Sequence, residues 1–221
     1  KNNSVDYNIT KITDNGWHLN FKGAANQSKT DSAIAKGHES DGTDNYQVNL
    51  NGNKWLNDNL KFKSTFYYRD TKSDYDSSAT KEESVTADNK MYAIQTGLER
   101  VGRNYKDDLI FHYHNYDRKY YVLGRKDEYY SESLVAKAER ELVVNNKLSY
   151  GFGSEYKYDW GNYETKTFTS HTRGNLSNLG IFVNLGYKLS KSLGLFVEGK
   201  YNKYWNREWY DFKCGVNYVI F

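Results

Sequence analysis

The stretch Tyr210-Asp-Phe-Lys-Cys-Gly-Val-Asn-Tyr-Val-Ile-Phe221 decides the fold. Its even positions, Tyr210, Phe212, Cys214, Val216, Tyr218 and Ile220, are apolar or aromatic. Between them Asp211, Lys213, Gly215 and Asn217 are polar or small. Successive side chains of a strand point to opposite faces, so this segment has one apolar face and one wetted face. The same period of two recurs along the chain, as in Trp17, Leu19, Phe21 and in Tyr46, Val48, Leu50, with long polar stretches between. A large soluble antiparallel sheet also alternates in this way, so periodicity alone leaves two architectures open.

Composition separates them. The chain has 221 residues, of which 38% are hydrophobic and 17% aromatic, including 22 Tyr. A soluble domain of this length needs a thick aliphatic core, and the material for one is lacking. A mean hydropathy of −0.93 would suit disorder. Disordered chains, however, are poor in aromatics and strongly charged overall, and this chain carries a net charge of only +3. An all-β, antiparallel transmembrane β-barrel accommodates these figures. Its lipid face needs every second residue of short strands, its lumen is polar, and Tyr and Trp collect at the two interfaces. No apolar run approaches the ~18 residues of a transmembrane helix. The most apolar stretch, Leu179-Gly-Ile-Phe-Val-Asn-Leu185, has strand length. Proline is absent, which suits a sheet whose N–H groups must pair. The single Cys214 excludes an internal disulfide and faces lipid in this register. Lys and Arg alternate with Asp and Glu, which argues against a nucleic-acid partner. With neither initiator Met nor signal peptide, a processed or excised segment is expected, comprising residues 1–221 as one barrel portion.

Turn chemistry sets the strand count. Asp14-Asn-Gly16, Asn57-Asp-Asn59, the 104–108 stretch, Asn145-Asn146 and Ser190-Lys-Ser192 read as short turns, since Asn, Asp and Gly tolerate positive φ. Longer polar connections are expected near 26–43, 71–89, 117–127, 159–175 and 204–207, which makes the short turns periplasmic and the long loops extracellular. About eleven strands of 9–13 residues result. Single-chain bacterial barrels use even numbers, so an odd count implies part of a larger barrel; a complete 12-stranded barrel is the alternative. Lys61, Lys63, His112, His114, Glu155, Lys157, Glu198, Lys200 and Lys213 occupy the polar positions and are expected to line the lumen.

The closing stretch resembles the C-terminal strand of bacterial outer-membrane barrels. The assembly signal polar-x-Gly-x-x-aromatic-x-apolar is matched by Lys213, Gly215, Tyr218 and Ile220, ending on Phe221. Asp88-Asn-Lys-Met-Tyr-Ala-Ile-Gln-Thr-Gly-Leu-Glu99, together with 152–161 and 178–189, resembles the C-terminal half of a TonB-dependent outer-membrane receptor, and most of all its cobalamin-transporter-like branch. The likeness covers 41–221. It implies half of a 22-stranded barrel in the bacterial outer membrane, contributing to uptake of a scarce nutrient such as cobalamin or a siderophore. The family's plug domain and TonB-contact segment have no match here, so TonB would be reached only through a plug missing from this chain. Outer-membrane lipid, the barrel-assembly machinery and a small-molecule substrate are the expected partners. A diffusion porin of about twelve strands, made anion-selective by its lumen lysines, is one alternative. A non-transporting surface adhesin is another.

Candidate sites follow. His112 and His114, two apart on one strand, share a face and read as lumen residues, with a metal pair as the sharper alternative. Asp70, Asp74, Asp76 and Asp88 bracket one of the long polar connections. Hard cations prefer such carboxylates, and the resemblance implies loop calcium, although no EF-hand spacing is present; no other cofactor is indicated. Tyr120, Tyr121, Tyr129, Tyr130, Trp160, Tyr163, Trp205 and Trp209 gather at the extracellular ends. They read as an interfacial belt, with Tyr120, Tyr121, Trp160, Tyr163, Trp205 and Trp209 the candidates for substrate contact. His38-Glu-Ser40 lies in a polar stretch without strand context, and no enzyme activity is expected.

The register of the last strand is testable in the parent protein. Ile220→Asp places a carboxylate on the lipid side at a cost of about 1–3 kcal/mol and spoils the assembly signal. Lys213→Gln faces the lumen and should insert normally. Outer-membrane yield and heat-modifiable gel mobility compare the two; wild-type assembly of Ile220→Asp would overturn the register.

Overall fold

A computed structural model describes residues 2–31, 40–78, 81–122, 125–165, 170–190, 193–204 and 207–218. Eleven strands form one sheet: β1 (Asn2–Ile12), β2 (Trp17–Asp31), β3 (Ser40–Asn57), β4 (Leu60–Ser78), β5 (Lys81–Val101), β6 (Tyr105–Val122), β7 (Arg125–Val143), β8 (Leu148–Thr165), β9 (Ser170–Lys188), β10 (Leu193–Tyr204) and β11 (Arg207–Tyr218). Spatial order equals sequence order, and every neighbouring pair is antiparallel.

The short turns are built by local polar groups. In the first, Gly16 takes φ 81°, the left-handed region a Cβ disfavours, and its N–H donates to the Thr13 carbonyl at 2.9 Å. In the second, the Asn57 side-chain oxygen accepts from the backbone N–H of Asn59 and Leu60 (3.0 and 2.9 Å). Asn145 repeats this with Lys147 and Leu148, at 2.8 and 2.9 Å, and the Ser190 hydroxyl accepts from Leu193 N–H at 3.1 Å. The third turn spans 102–104, so Tyr105, Lys106, Asp107 and Asp108 belong to β6 and not to the turn expected at 104–108.

The opposite ends depart from expectation. Residues 71–89, 117–127 and 159–175 pair as ladder over most of their length, as in Asp74↔Thr86, Tyr120↔Asp127 and Asn162↔Arg173. Strands reach 21 residues in β5, where about 9–11 suffice to cross a bilayer. Backbone pairing needs no apolar side chain. Where water wets both faces the alternation stops while the ladder continues, so polar composition was misread as loop.

The period of two divides the side chains cleanly. Ile9, Val183 and Phe212 on one face are 59%, 60% and 73% exposed. All five buried hydrophobic residues among those described (Ala24, Val85, Ala87, Ala93 and Phe182) lie on the other face, as do buried Ser133, Thr165 and Asn202, whereas buried Asn115 is on the outer face beneath Glu132. Such asymmetry is what curvature produces: side chains converge on the concave inner face and splay on the convex outer one. On the outer face, Tyr105 sits between Arg100 and Arg140, each 5.5 Å from its ring, and Asp107 holds Arg140 through two bonds of 2.5 and 2.8 Å. Leu109, Phe111 and Tyr113 follow on β6 before the next charge, Asp117. From Asp107 to Asp117, at about 3.3 Å per residue and a tilt of about 40°, is a height of about 25 Å. That is the height of the apolar band of an outer-membrane barrel. Above it the Glu132 carboxylate accepts from the Tyr113 hydroxyl (2.6 Å), the Tyr130 hydroxyl and Asn115 Nδ2 (3.3 Å), a polar knot at the belt.

Aromatic rings on neighbouring strands cover several glycines. Phe196 pairs with Gly215, where a Cβ would lie 2.5 Å from the Phe196 ring, and Phe182 covers Gly153 in the same manner. Gly215 is therefore the seat of a ring from β10. Gly215→Val should destabilise the parent barrel by about 1–3 kcal/mol through overpacking, and most of that cost should vanish in a Phe196→Ala background. Urea unfolding of the four-variant cycle checks this; additive effects would overturn the contact.

Candidate functional site

Strand β6 carries an inner-face column of His112, His114, Tyr116, Arg118 and Tyr120, fixed by alternation. Its upper part meets β7 and β8 in register, with Arg118 opposite Tyr129, Tyr129 opposite Tyr163, and Tyr120 opposite Asp127. Tyr116, Arg118, Tyr120, Asp127, Tyr129 and Tyr163 line a groove of about 480 Å³. Its geometry is held from behind. The Tyr116 hydroxyl donates to Asn89 Oδ1 at 3.0 Å, its ring meets Tyr129 edge-on at 5.8 Å, and the Thr165 hydroxyl donates to Asp127 Oδ1 at 2.7 Å. The Arg118 guanidinium lies 5.7 Å from the Tyr120 ring centre. Rigid aromatic faces beside an exposed guanidinium suit a flat ligand carrying anionic or hydrogen-bonding edges. A larger void of about 580 Å³ lies at the short-turn end, lined by turn residues such as Asn145, Lys147 and Ser190.

The expected contact residues divide by parity. Tyr120 and Tyr163 enter the groove. Tyr121, one residue on from Tyr120, faces outward, opposite Lys126. Trp160 also faces outward, its ring 5.3 Å from Tyr158 and 6.5 Å from Tyr113, in the belt above the apolar band. Trp209 is on the inner face but away from the groove, its indole N–H donating to Asp211 Oδ2 at 3.3 Å. Trp205, Ile220 and Phe221 lie outside the described residues, and Tyr218 only closes the β11 ladder, opposite Leu193. The groove residues overlooked as contacts are Tyr116, Arg118, Asp127 and Tyr129. Their signal was the spacing of two that continues from His112 and His114 through the presumed loop.

All nine expected lumen residues are on the inner face. The lysines are not free, however. Lys63 pairs with Glu99, Lys157 with Asp159 (2.8 Å), Lys200 with Glu155 (2.9 Å) and Lys213 with Glu198 (3.6 Å). Lys61 rests its ammonium 5.5 Å from the Trp55 ring centre. Four of the five lysines expected to select anions are therefore charge-compensated, and Lys61 packs on a ring instead. Partly exposed pairs of this kind add little stability, about 0–1 kcal/mol each, so their effect is electrostatic neutrality.

The acidic residues expected in a loop are strand residues. Asp70 and Asp74 stand on the outer face of β4, and Asp88 on that of β5; the side chain of Asp76 is not described. Asp70 accepts from the Tyr68 hydroxyl at 3.2 Å and lies 3.8 Å from Lys90, while Lys72 is opposite Asp88. Among the described residues no cluster of three or more His, Cys, Asp or Glu is placed to share a metal ion.

Several solved structures share this architecture. The siderophore receptor PirA from Acinetobacter baumannii superposes with a TM-score of 0.75 at 12% identity, over 99% of this chain and 38% of that one. The ferric yersiniabactin uptake receptor FyuA from Yersinia pestis gives 0.69 at 11%, over 97% and 40%. The RagAB peptide transporter gives 0.62 at 10%, over 97% and 34%. The chain thus spans less than half the length of these three structures. No family model matches the sequence, and no curated protein matches it. The chain has the fold of the C-terminal half of a TonB-dependent outer-membrane receptor barrel.

Proposed function

We propose that this chain is part of the barrel wall of an energised uptake receptor in the bacterial outer membrane, and that its inner-face groove contacts the incoming nutrient. The groove between Tyr116, Arg118, Tyr120, Asp127, Tyr129 and Tyr163 carries the proposal. It sits at the end opposite the short turns, above the apolar band, where a ligand arriving from outside meets the barrel first. Guanidinium plus tyrosine faces match a ferric siderophore of the catecholate kind, whose arms are flat and whose iron complex is anionic. That two of the matched proteins are a siderophore receptor and a ferric yersiniabactin uptake receptor supports the same cargo class. Transport, and not catalysis, is the role proposed. Coupling to TonB would run through a plug contributed by other residues of the full protein.

The test uses the full-length receptor in detergent with a panel of ferric catecholate, hydroxamate and phenolate siderophores, cobalamin and short peptides. Arg118→Ala and Tyr129→Ala should each weaken the bound member of the panel about 30-fold, the loss of an interface hot spot of about 2 kcal/mol. Tyr121→Ala, one position along but on the outer face, should leave affinity unchanged. Equal losses for Tyr121→Ala and Arg118→Ala would overturn the groove. Tight binding of cobalamin or peptide alone would overturn the cargo class.

A further inference from the structure

Below the groove the same β6 column ends in His112 and His114, and here the inner wall changes character. Towards the short turns it is a chain of ion pairs, Lys63–Glu99–Lys106–Asp108 and Lys137–Glu139. Towards the groove it carries Arg118 and Asp127. Between these the residues opposite the histidines are uncharged. Gln95 and Val135 flank His112, and Ala93 and Ser133 flank His114. Among the described residues the two imidazoles have no carboxylate partner, in contrast to Lys63, Lys106 and Lys137.

Residues two apart on a strand have Cα atoms about 6.7 Å apart. The two ring centres are closer than that, at 5.6 Å with planes inclined by 50°, so the rings lean together. Two imidazole nitrogens each 2.0–2.1 Å from one tetrahedral ion put their ring centres about 5 Å apart. A small χ rotation closes the difference. No bulky side chain stands opposite His114 on either neighbouring strand, only Ala93 and Ser133. The Ser133 hydroxyl oxygen is buried without a hydrogen-bond partner, on the same face as His114 and directly across from it. A buried hydroxyl left without a partner is costly unless something polar occupies the space before it.

We propose that His112 and His114 form a chelating pair for a borderline divalent transition cation, Cu²⁺, Ni²⁺ or Zn²⁺, on the inner wall. The two nitrogens are the protein's ligands, and Ser133 stands behind them as hydrogen-bond partner to the cation's remaining ligands. All-nitrogen donors select this class, whereas Ca²⁺ and Mg²⁺ require clustered oxygens, and the nearby wall carboxylates are already engaged by lysines. At about 3.3 Å per residue, His114 lies about 13 Å along β6 from Arg118. A cation here is therefore bound separately from a ligand in the groove, and the site stands whether or not the siderophore reading does.

The experiment takes the full-length receptor in detergent and adds Cu²⁺ alone. Electron paramagnetic resonance should show one bound Cu²⁺ coupled to two nitrogens. His112→Gln and His114→Gln should each remove one coupling and weaken binding by at least about tenfold; the double variant should lose the signal. Zn²⁺ in large excess should compete with Cu²⁺ for the site, and millimolar Ca²⁺ should not. Heat-modifiable mobility establishes that each variant is folded. An unchanged spectrum in the folded double variant would overturn the site. So would a wild-type spectrum without nitrogen coupling, which requires no variant at all.

Discussion

Backbone hydrogen bonding is the constraint on which this structure depends. In hydrocarbon no water is available to an unpaired N–H or C=O, so each strand must give its polar groups to its neighbours. The ladder runs unbroken from β1 to β11, and once it does, the side chains have no freedom about which face they take. The apolar set Leu109, Phe111, Tyr113 must face one way, and His112, His114, Tyr116 and Arg118 the other. Within the apolar band, polar chemistry is confined to the second set.

That division explains what was legible in the sequence. Inside the apolar band, alternation between Leu or Phe and polar residues identified strands, turns and inner-face residues, down to the side-chain-capped bends at Asn57 and Asn145. Beyond the band both faces are wetted, and the contrast that reveals a strand disappears. Tyr120 and Tyr121 are chemically the same, yet one lines the groove and the other looks away; only the register of 117–122 against 125–130 tells them apart. The long-range partners were hidden for a different reason. Lys63 and Glu99 are 36 residues apart and Lys200 and Glu155 are 45 apart, so the neutralised wall depends on strand register that composition does not specify. Phe196 over Gly215 belongs to the same class.

Charge compensation gives the inner wall an even potential. Carboxylates set against Lys63, Lys157, Lys200 and Lys213 weaken any single-sign field along this part of the wall. The pattern breaks at the Arg118–tyrosine groove and at the uncharged belt around His112 and His114, the two places proposed as binding sites.

The sheet has one more property, which follows from each strand pairing only with its neighbours in sequence. Its cohesion is a string of local hairpins, each stitched at one end by a bend such as that at Asn57 or Ser190, and hence nearly one-dimensional. Tension applied to one edge strand would load a single ladder at a time. The wall would then peel in sawtooth steps, each releasing one hairpin's contour length, instead of failing as a block; in mechanical terms the barrel wall is a zip.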